Sequence, residues 1–195
     1  MPCNGTKLYL PKGDDHELVY HRSMKDELGE SDFKELMIVL LNKQANIEHH
    51  ILPLPLTGHF ISYRDSMINW CPIGRNASRE ERKTFIEYDS NRTPSFRSIL
   101  MDRLKHDLSL RGLFDKIEIK LGGDTSFDIY PKGWNKTYCL KHFPDHAHWF
   151  VGDRCETGGN DKELYDLLAV DNKAFKTKDT STTKLIIEEQ ILPYL

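Results

Sequence analysis

The sequence lacks any long apolar run: stretches such as Met37 to Leu41 are far too short to span a bilayer. Its start has no charged segment followed by an apolar one, so we expect no signal peptide and a cytoplasmic protein. A basic excess is also missing, because the 195 residues carry a net charge of −3. That charge argues against a general nucleic-acid binder but is compatible with a local basic pocket for a small phosphate.

Cysteine is scarce, and the common catalytic motifs are absent. The four cysteines form no C-x-x-C pair and no Cys/His group with zinc spacing, a distribution that suits a reducing compartment. No H-E-x-x-H, G-x-S-x-G, Walker A or G-x-G-x-x-G pattern occurs. The chemistry must therefore be sought in other residues.

Hydrophobic periodicity divides the chain into a central segment and two flanking ones. Between residues 24 and 131, helices alternate with strands that read as antiparallel, which predicts a sheet covered on one side by helices. A short apolar run, His148 to Val151, ends at Gly152-Asp153, as a buried parallel strand that leads into an active-site loop does. We therefore predict that residues 1–23 and 132–195 form one domain and that residues 24–131 are inserted into it. The pattern predicts strands over 7–10, 17–21, 59–64, 67–71, 117–121, 126–130 and 148–151, and helices from Ser31, from Ser78 and over 96–108, 138–143, 163–168 and 182–192.

Three arginines, Arg64, Arg75 and Arg82, surround the predicted start of a helix with a capping-box pattern at Ser78 to Glu81. Guanidinium groups bind phosphate through paired hydrogen bonds, and a helix N-terminus adds free N–H groups. These residues are therefore candidates for holding a dianionic phosphate. The alternative is that they are surface arginines paired with Glu80, Glu81 and Glu87.

Ser126 and Asp128 are predicted to lie on one face of a strand that follows Gly122-Gly123. If Arg64 shares that face, the sheet offers a cation, a hydroxyl and a carboxylate to one ligand. A carboxylate that accepts neighbouring sugar hydroxyls would give specificity, because buried donors need partners. The alternative is a solvated sheet face.

Acidic residues follow the predicted strand at His148 to Val151. Asp153 stands at the strand's end, and Asp161 follows in a Gly-Gly-Asn-Asp loop. Oxygen ligands of this kind suit Mg²⁺, and Lys136 is placed to neutralise a phosphate at the metal. The alternative is that these acids cap the helix that begins near residue 161.

Together these segments resemble the eukaryotic-type phosphomannomutases of the haloacid dehalogenase superfamily. The resemblance runs through Gly58–Arg64, Asn69–Arg82, Gly122–Leu140 and Phe150–Glu163, and it is especially close at 133–140 and 158–161. It implies an α/β fold: a haloacid dehalogenase-like Rossmannoid core, incomplete at its N-terminus, with an inserted type IIB α+β cap of antiparallel sheet and helices. It also implies a cytoplasmic homodimer formed through the cap, with neither nucleic acid nor membrane as a partner.

The resemblance further assigns roles to residues. It implies that a hexose phosphate is bound from the cap and that Lys136 is the catalytic lysine. It implies Mg²⁺ as cofactor, and it places a second cation site at Asp166, although Leu167-Leu168-Ala169 departs from the Pro-Arg-Thr-like stretch of the family there. The substrate-binding residues would be Arg64, Arg75, Arg82, Ser126 and Asp128, and the metal-binding residues Asp153, Asp161 and Asp166.

The sequence departs from the family by having no Asp-x-Asp-Gly-Thr motif, which carries the nucleophilic and the acid/base aspartates. The function that the resemblance implies is interconversion of mannose 6-phosphate and mannose 1-phosphate through an aspartyl-phosphate, towards GDP-mannose. We expect this chain alone to be inactive, either because it is truncated or because it has diverged. The alternatives are a sugar phosphatase of the same superfamily and an inactive sugar-phosphate-binding or dimerisation module.

Overall fold

A computed structural model describes residues 3–47 and 54–195 of the chain and has a mixed α/β fold. No helix within these two ranges is long and apolar enough to cross a membrane. The strands are β1 (Lys7–Lys12), β2 (Asp15–His21), β3 (Ile61–Tyr63), β4 (Ile68–Trp70), β5 (Ile117–Gly122), β6 (Ser126–Pro131), β7 (Phe150–Gly152) and β8 (Ala174–Lys176). The α-helices are α1 (Met24–Leu28), α2 (Glu30–Ala45), α3 (Arg79–Ser90), α4 (Phe96–Leu110), α5 (Lys162–Ala169) and α6 (Thr180–Ile186).

The chain divides into two compact units. Val19–Lys132 form one of them, here called the central unit, while Met1–Leu18 and Gly133–Leu195 together form the other, the split unit. The central unit contains a four-stranded antiparallel sheet with strand order β3-β4-β6-β5. The split unit contains the parallel pair β7-β8.

One face of the four-stranded sheet is apolar and the other is polar. Trp70 pairs with Phe127, Ile68 pairs with Ile129, and all four side chains are fully buried. Because side chains alternate along a strand, Asn69 and its partner Asp128 point to the opposite face. The predicted alternation of β6 is therefore confirmed, and it separates a core face from a face that is free to bind a ligand.

Helices α2 and α4 cover the apolar face. Leu36 and Leu40 of α2 and Leu104 and Leu108 of α4 are fully buried in the same cluster as the apolar side chains of the sheet. Burying such a side chain stabilises a fold by roughly 1.5–3 kcal/mol relative to leaving it exposed. The strands that carry the polar face are thus supported from behind by the packed side chains of α2 and α4.

Two helix starts in the central unit show how caps decide boundaries. The capping box predicted at Ser78 is confirmed, since Ser78 accepts a hydrogen bond from the Glu81 backbone and the Glu81 carboxylate accepts one from the Ser78 backbone. The predicted cap at Ser31 is wrong, because α2 begins at Glu30 and is preceded by Gly29 with φ of 79°. That glycine also ends α1, a short helix capped by Ser23 that the sequence pattern did not indicate.

The split unit is built from shorter elements. Its predicted helix over 138–143 is a 3-10 helix, Lys136–His142, and the segment predicted as one closing helix is α6 followed by a π-helical turn, Ile187–Ile191. The predicted strand at 148–151 lies at Phe150–Gly152 and pairs in parallel with β8. The strand leads directly into the loop that carries Asp153, as the sequence indicated.

Candidate functional site

The predicted site residues fall into two groups, one in each unit. In the central unit, a pocket of about 330 Å³ lies on the polar face of the sheet and is lined by Asn69, Arg75, Arg82, Thr125 and Ser126, among others. Asp128 lies next to it, because its carboxylate contacts the Gly122 backbone so closely that a Cβ there would sit 2.8 Å from it. Any larger residue at position 122, the last of β5, would therefore have to displace the Asp128 carboxylate.

Asn69 is the centre of the polar network at this pocket. Its amide nitrogen donates to the Asp128 carboxylate at 2.8 Å and to the Ser126 hydroxyl at 3.0 Å. Its amide oxygen accepts from the Arg75 guanidinium at 2.8 Å. One buried side chain thus contacts three of the predicted substrate-binding residues. Sequence analysis missed Asn69, although its alternation with Trp70 on β4 was a signal that placed it on the polar face.

Arg82 links the start of α3 to the β5–β6 turn. It lies in the first turn of the helix and donates to the backbone carbonyls of Ala77 at 3.1 Å and Arg75 at 2.5 Å, and to the Thr125 hydroxyl at 3.1 Å. Two of the three glutamates that were the alternative partners have other contacts: Glu81 completes the capping box and Glu87 pairs with Lys83. Arg82 therefore connects two parts of the pocket wall, the segment before α3 and the β5–β6 turn.

Arg64 is placed differently from the other two arginines. It follows β3, two residues beyond Ser62, which pairs with Asn69, so its position in the register is on the polar face. Its backbone N–H donates to Met67 in the turn between β3 and β4. The residue is exposed and does not line the 330 Å³ pocket.

A buried ion pair braces the β5–β6 turn. Asp89 at the end of α3 accepts two hydrogen bonds from Arg97 at the start of α4, from the side-chain Nε at 2.7 Å and from the backbone at 2.8 Å. Arg97 then donates to the carbonyl of Gly123 at 2.9 Å. Only 5% of the Asp89 side chain and 12% of the Arg97 side chain are exposed. These residues lie eight positions apart on different helices, so no local pattern reveals them.

In the split unit, Asp161 organises the loop after β7. Its side chain, 4% exposed, accepts from Lys136 with one oxygen and from the backbone N–H groups of Asp153 (3.1 Å) and Arg154 (3.0 Å) with the other. Burial opposes ionisation of this carboxyl. The hydrogen bonds from Lys136 and the backbone outweigh that effect, so the pKa of Asp161 lies below its ordinary value.

The other two predicted metal residues lie apart from each other. Asp153 is exposed at the end of β7 and lines a pocket of about 410 Å³ with Lys136, Asp161 and Thr177. Asp166 is outside that pocket, is exposed on α5, and pairs with Lys162 at 2.6 Å. The structure thus brings together Lys136, Asp153 and Asp161 but not Asp166.

The side chains in this pocket fit a magnesium site in which most ligands are water. Mg²⁺ usually keeps several waters and takes one or two carboxylates. Asp153 offers one accessible carboxylate, while the Asp161 carboxylate is 4% exposed and already accepts three hydrogen bonds. Within the part of the chain that the structure describes, no group of three His, Cys, Asp or Glu side chains is arranged to hold a metal. The residues fit a water-rich site with one carboxylate from this chain and do not form a closed cage.

Comparison with known proteins identifies the family. The sequence profile of eukaryotic phosphomannomutase matches residues 4–189, so the chain belongs to that family. It is similar to the phosphomannomutase of Dendrobium officinale, with 40% identity over 153 residues covering 77% of this chain and 56% of that protein. It is also similar to phosphomannomutase 2 of Dictyostelium discoideum, with 33% identity over 178 residues covering 90% of this chain and 67% of that protein.

The chain thus spans between about half and two thirds of the length of these relatives. Among solved structures, a truncated IMP-nucleotidase of Plasmodium falciparum matches 96% of this chain and 49% of that chain, with 11% identity and a TM-score of 0.49. That likeness is too distant to bear on function.

Proposed function

We propose that this chain carries the sugar-phosphate recognition site of a phosphomannomutase that interconverts mannose 6-phosphate and mannose 1-phosphate. The observation that carries the proposal is the Asn69-centred network, which gathers Arg75, Ser126 and Asp128 at one pocket on the polar sheet face. A cation for phosphate and a carboxylate for sugar hydroxyls are the two recognition elements that a hexose phosphate needs. Membership of the eukaryotic phosphomannomutase family supports the choice of substrate.

In this proposal the central unit is the cap and the split unit is part of the catalytic core. Arg75 grips the phosphate, with Arg64 and Arg82 contributing charge, while Asp128 and Ser126 orient the hydroxyls. Lys136 offsets charge on the transferring phosphoryl group, held in place by Asp161. Asp153 would ligate Mg²⁺, which supplies further electrostatic stabilisation when bound. A role for Asp166 at a second cation has no support beyond the resemblance.

A binding module without turnover is the second candidate, because the pocket on the polar sheet face is lined by residues of the central unit alone. A sugar phosphatase gives no reason for a phosphate-binding site on the cap, since water takes the phosphoryl group. The remaining implications of the resemblance, a cytoplasmic homodimer and a role in GDP-mannose supply, stay predictions, and sedimentation analysis would test the dimer.

The proposed site is tested by titrating mannose 1-phosphate into the wild type and the Arg75→Ala variant. One charge-assisted hydrogen bond is worth roughly 1.5–3 kcal/mol, so we expect affinity to fall about tenfold to a hundredfold. Arg79→Ala is the matched control, because Arg79 is an exposed arginine at the start of α3, four residues after Arg75, but does not line the pocket. Equal affinities for the wild type and Arg75→Ala would contradict the proposal.

A further inference from the structure

Asn69 is the residue at this site whose role goes beyond the proposed function. We propose that Asn69 is a positioning residue that holds Arg75 and Asp128 in place for the ligand without neutralising either of them. The inference rests on the proposed function, since it assumes that these two side chains recognise a hexose phosphate. Asn69 is 4% exposed and lies on β4, a strand paired on both sides.

The chemistry of the two partners fixes the orientation of the Asn69 amide. A guanidinium has donors and no acceptor, so the atom that contacts Arg75 must be the amide oxygen. An ionised carboxylate has acceptors and no donor, so the atom that contacts Asp128 must be the amide nitrogen. The amide dipole therefore lies between a cation and an anion, and each end meets the partner that it suits.

A neutral amide at this position has an electrostatic consequence. If Arg75 and Asp128 paired directly, each charge would be compensated before any ligand arrived. The amide instead satisfies one hydrogen bond of each group and leaves both charges available. Its nitrogen also donates to Ser126, so the same side chain fixes the hydroxyl next to the carboxylate. One residue thereby sets the spacing between the phosphate-binding and the sugar-binding side of the pocket.

Two near-isosteric substitutions separate this role from simple packing. In Asn69→Asp, the new carboxylate still accepts from Arg75, but it meets the Asp128 carboxylate at hydrogen-bond distance with no proton between them. In the double variant Asn69→Asp/Asp128→Asn, the hydrogen bond is restored with donor and acceptor exchanged. The double variant then holds Arg75 in place, but through a carboxylate that compensates its charge.

The experiment measures binding of mannose 1-phosphate and of inorganic phosphate to the wild type, both single variants and the double variant. We expect Asn69→Asp to lose tenfold or more in affinity for both ligands. The double variant should stay about as weak as Asn69→Asp towards inorganic phosphate, because the carboxylate at position 69 still compensates the charge of Arg75. A role in packing alone would let the double variant recover, since the hydrogen bond to position 128 is restored.

Two results would overturn the inference: wild-type affinity in Asn69→Asp, or a double variant that binds inorganic phosphate as well as the wild type. Urea unfolding of the same four proteins keeps the test independent of binding. There the double variant should be more stable than Asn69→Asp, and additive effects of the two substitutions would contradict the exchanged hydrogen bond. A wild type that bound neither ligand would overturn the proposed function, while the unfolding data would still decide whether Asn69 and Asp128 are coupled.

Discussion

The central and split units differ most in how their candidate sites are supported. In the central unit, the pocket lies on a sheet whose other face is packed by two helices into one apolar cluster. In the split unit, the loop with Asp153 follows a three-residue strand and is held mainly by polar contacts to Asp161. Among the described residues, the buried apolar side chains of the split unit are Trp134, Cys155, Leu164 and Ile191.

This difference indicates which of the two candidate sites is held more rigidly by its own unit. A sheet with one buried face supplies rigid positions for recognition residues. A two-stranded parallel pair gives the residues of its loop much less rigid support, and apolar side chains of its unit such as Leu167 and Val170 are exposed. We therefore expect ligand recognition to be robust in the central unit and geometry to be easily disturbed in the split unit.

The largest effect should come from breaking the buried ion pair of the central unit. Asp89→Ala leaves the Arg97 guanidinium buried without its carboxylate, a change that typically costs about 3–5 kcal/mol. Urea unfolding followed by circular dichroism measures it. Glu87→Ala is the control, because Glu87 forms an exposed pair with Lys83 on the same helix and such pairs contribute about 0–1 kcal/mol. A cost for Asp89→Ala as small as that of the control would contradict the account.

A matched pair of core truncations compares the units directly. Leu104→Ala removes a fully buried side chain of the central cluster, for which we expect a loss of about 2–5 kcal/mol. Leu164→Ala removes a side chain of the split unit that is 6% exposed. Because fewer buried neighbours surround it, its cost should lie at or below the lower end of that range. Equal costs would show that both units are packed alike.

The sequence predicted the parts of this fold that depend on local patterns. Alternation located β5 and β6, and the Ser78-to-Glu81 pattern located the start of α3. It did not predict β8, because Ala174 and Phe175 are only two apolar residues between two lysines. It also missed the contacts of Asn69 and Arg97, because these depend on side chains brought together from separate strands and helices.

The acidic loop of the split unit should respond to acid at a defined pH. The folded pKa of Asp161 is lowered, so its stabilisation is complete above its unfolded value, about 3.9, and is lost as the pH falls through the folded pKa. The amide signals of Asp153 and Arg154 in NMR spectra report this directly, since both donate to Asp161. They should titrate with a midpoint below pH 4 and not in Asp161→Asn. A midpoint above 4 would contradict the assignment.

The smallest effects separate two serines that the sequence treated alike. Ser78→Ala removes a real capping interaction and should cost about 1 kcal/mol. Ser31→Ala changes a residue inside α2 and should be neutral or stabilising by a few tenths of a kcal/mol, because alanine is the better helix former. Thermal unfolding of both variants against the wild type measures the difference. A larger loss for Ser31→Ala would contradict the observed start of α2.

Hydrogen exchange with and without mannose 1-phosphate tests the central claim most directly, namely that a well-packed central unit carries the recognition site. Without ligand, we expect slow exchange in the strands at 68–70, 117–122 and 126–131, and faster exchange at 150–152 and 174–176. With ligand, added protection should appear within residues 69–82 and 122–128. Equal protection of both units without ligand, or ligand-induced protection confined to the split unit, would contradict the account.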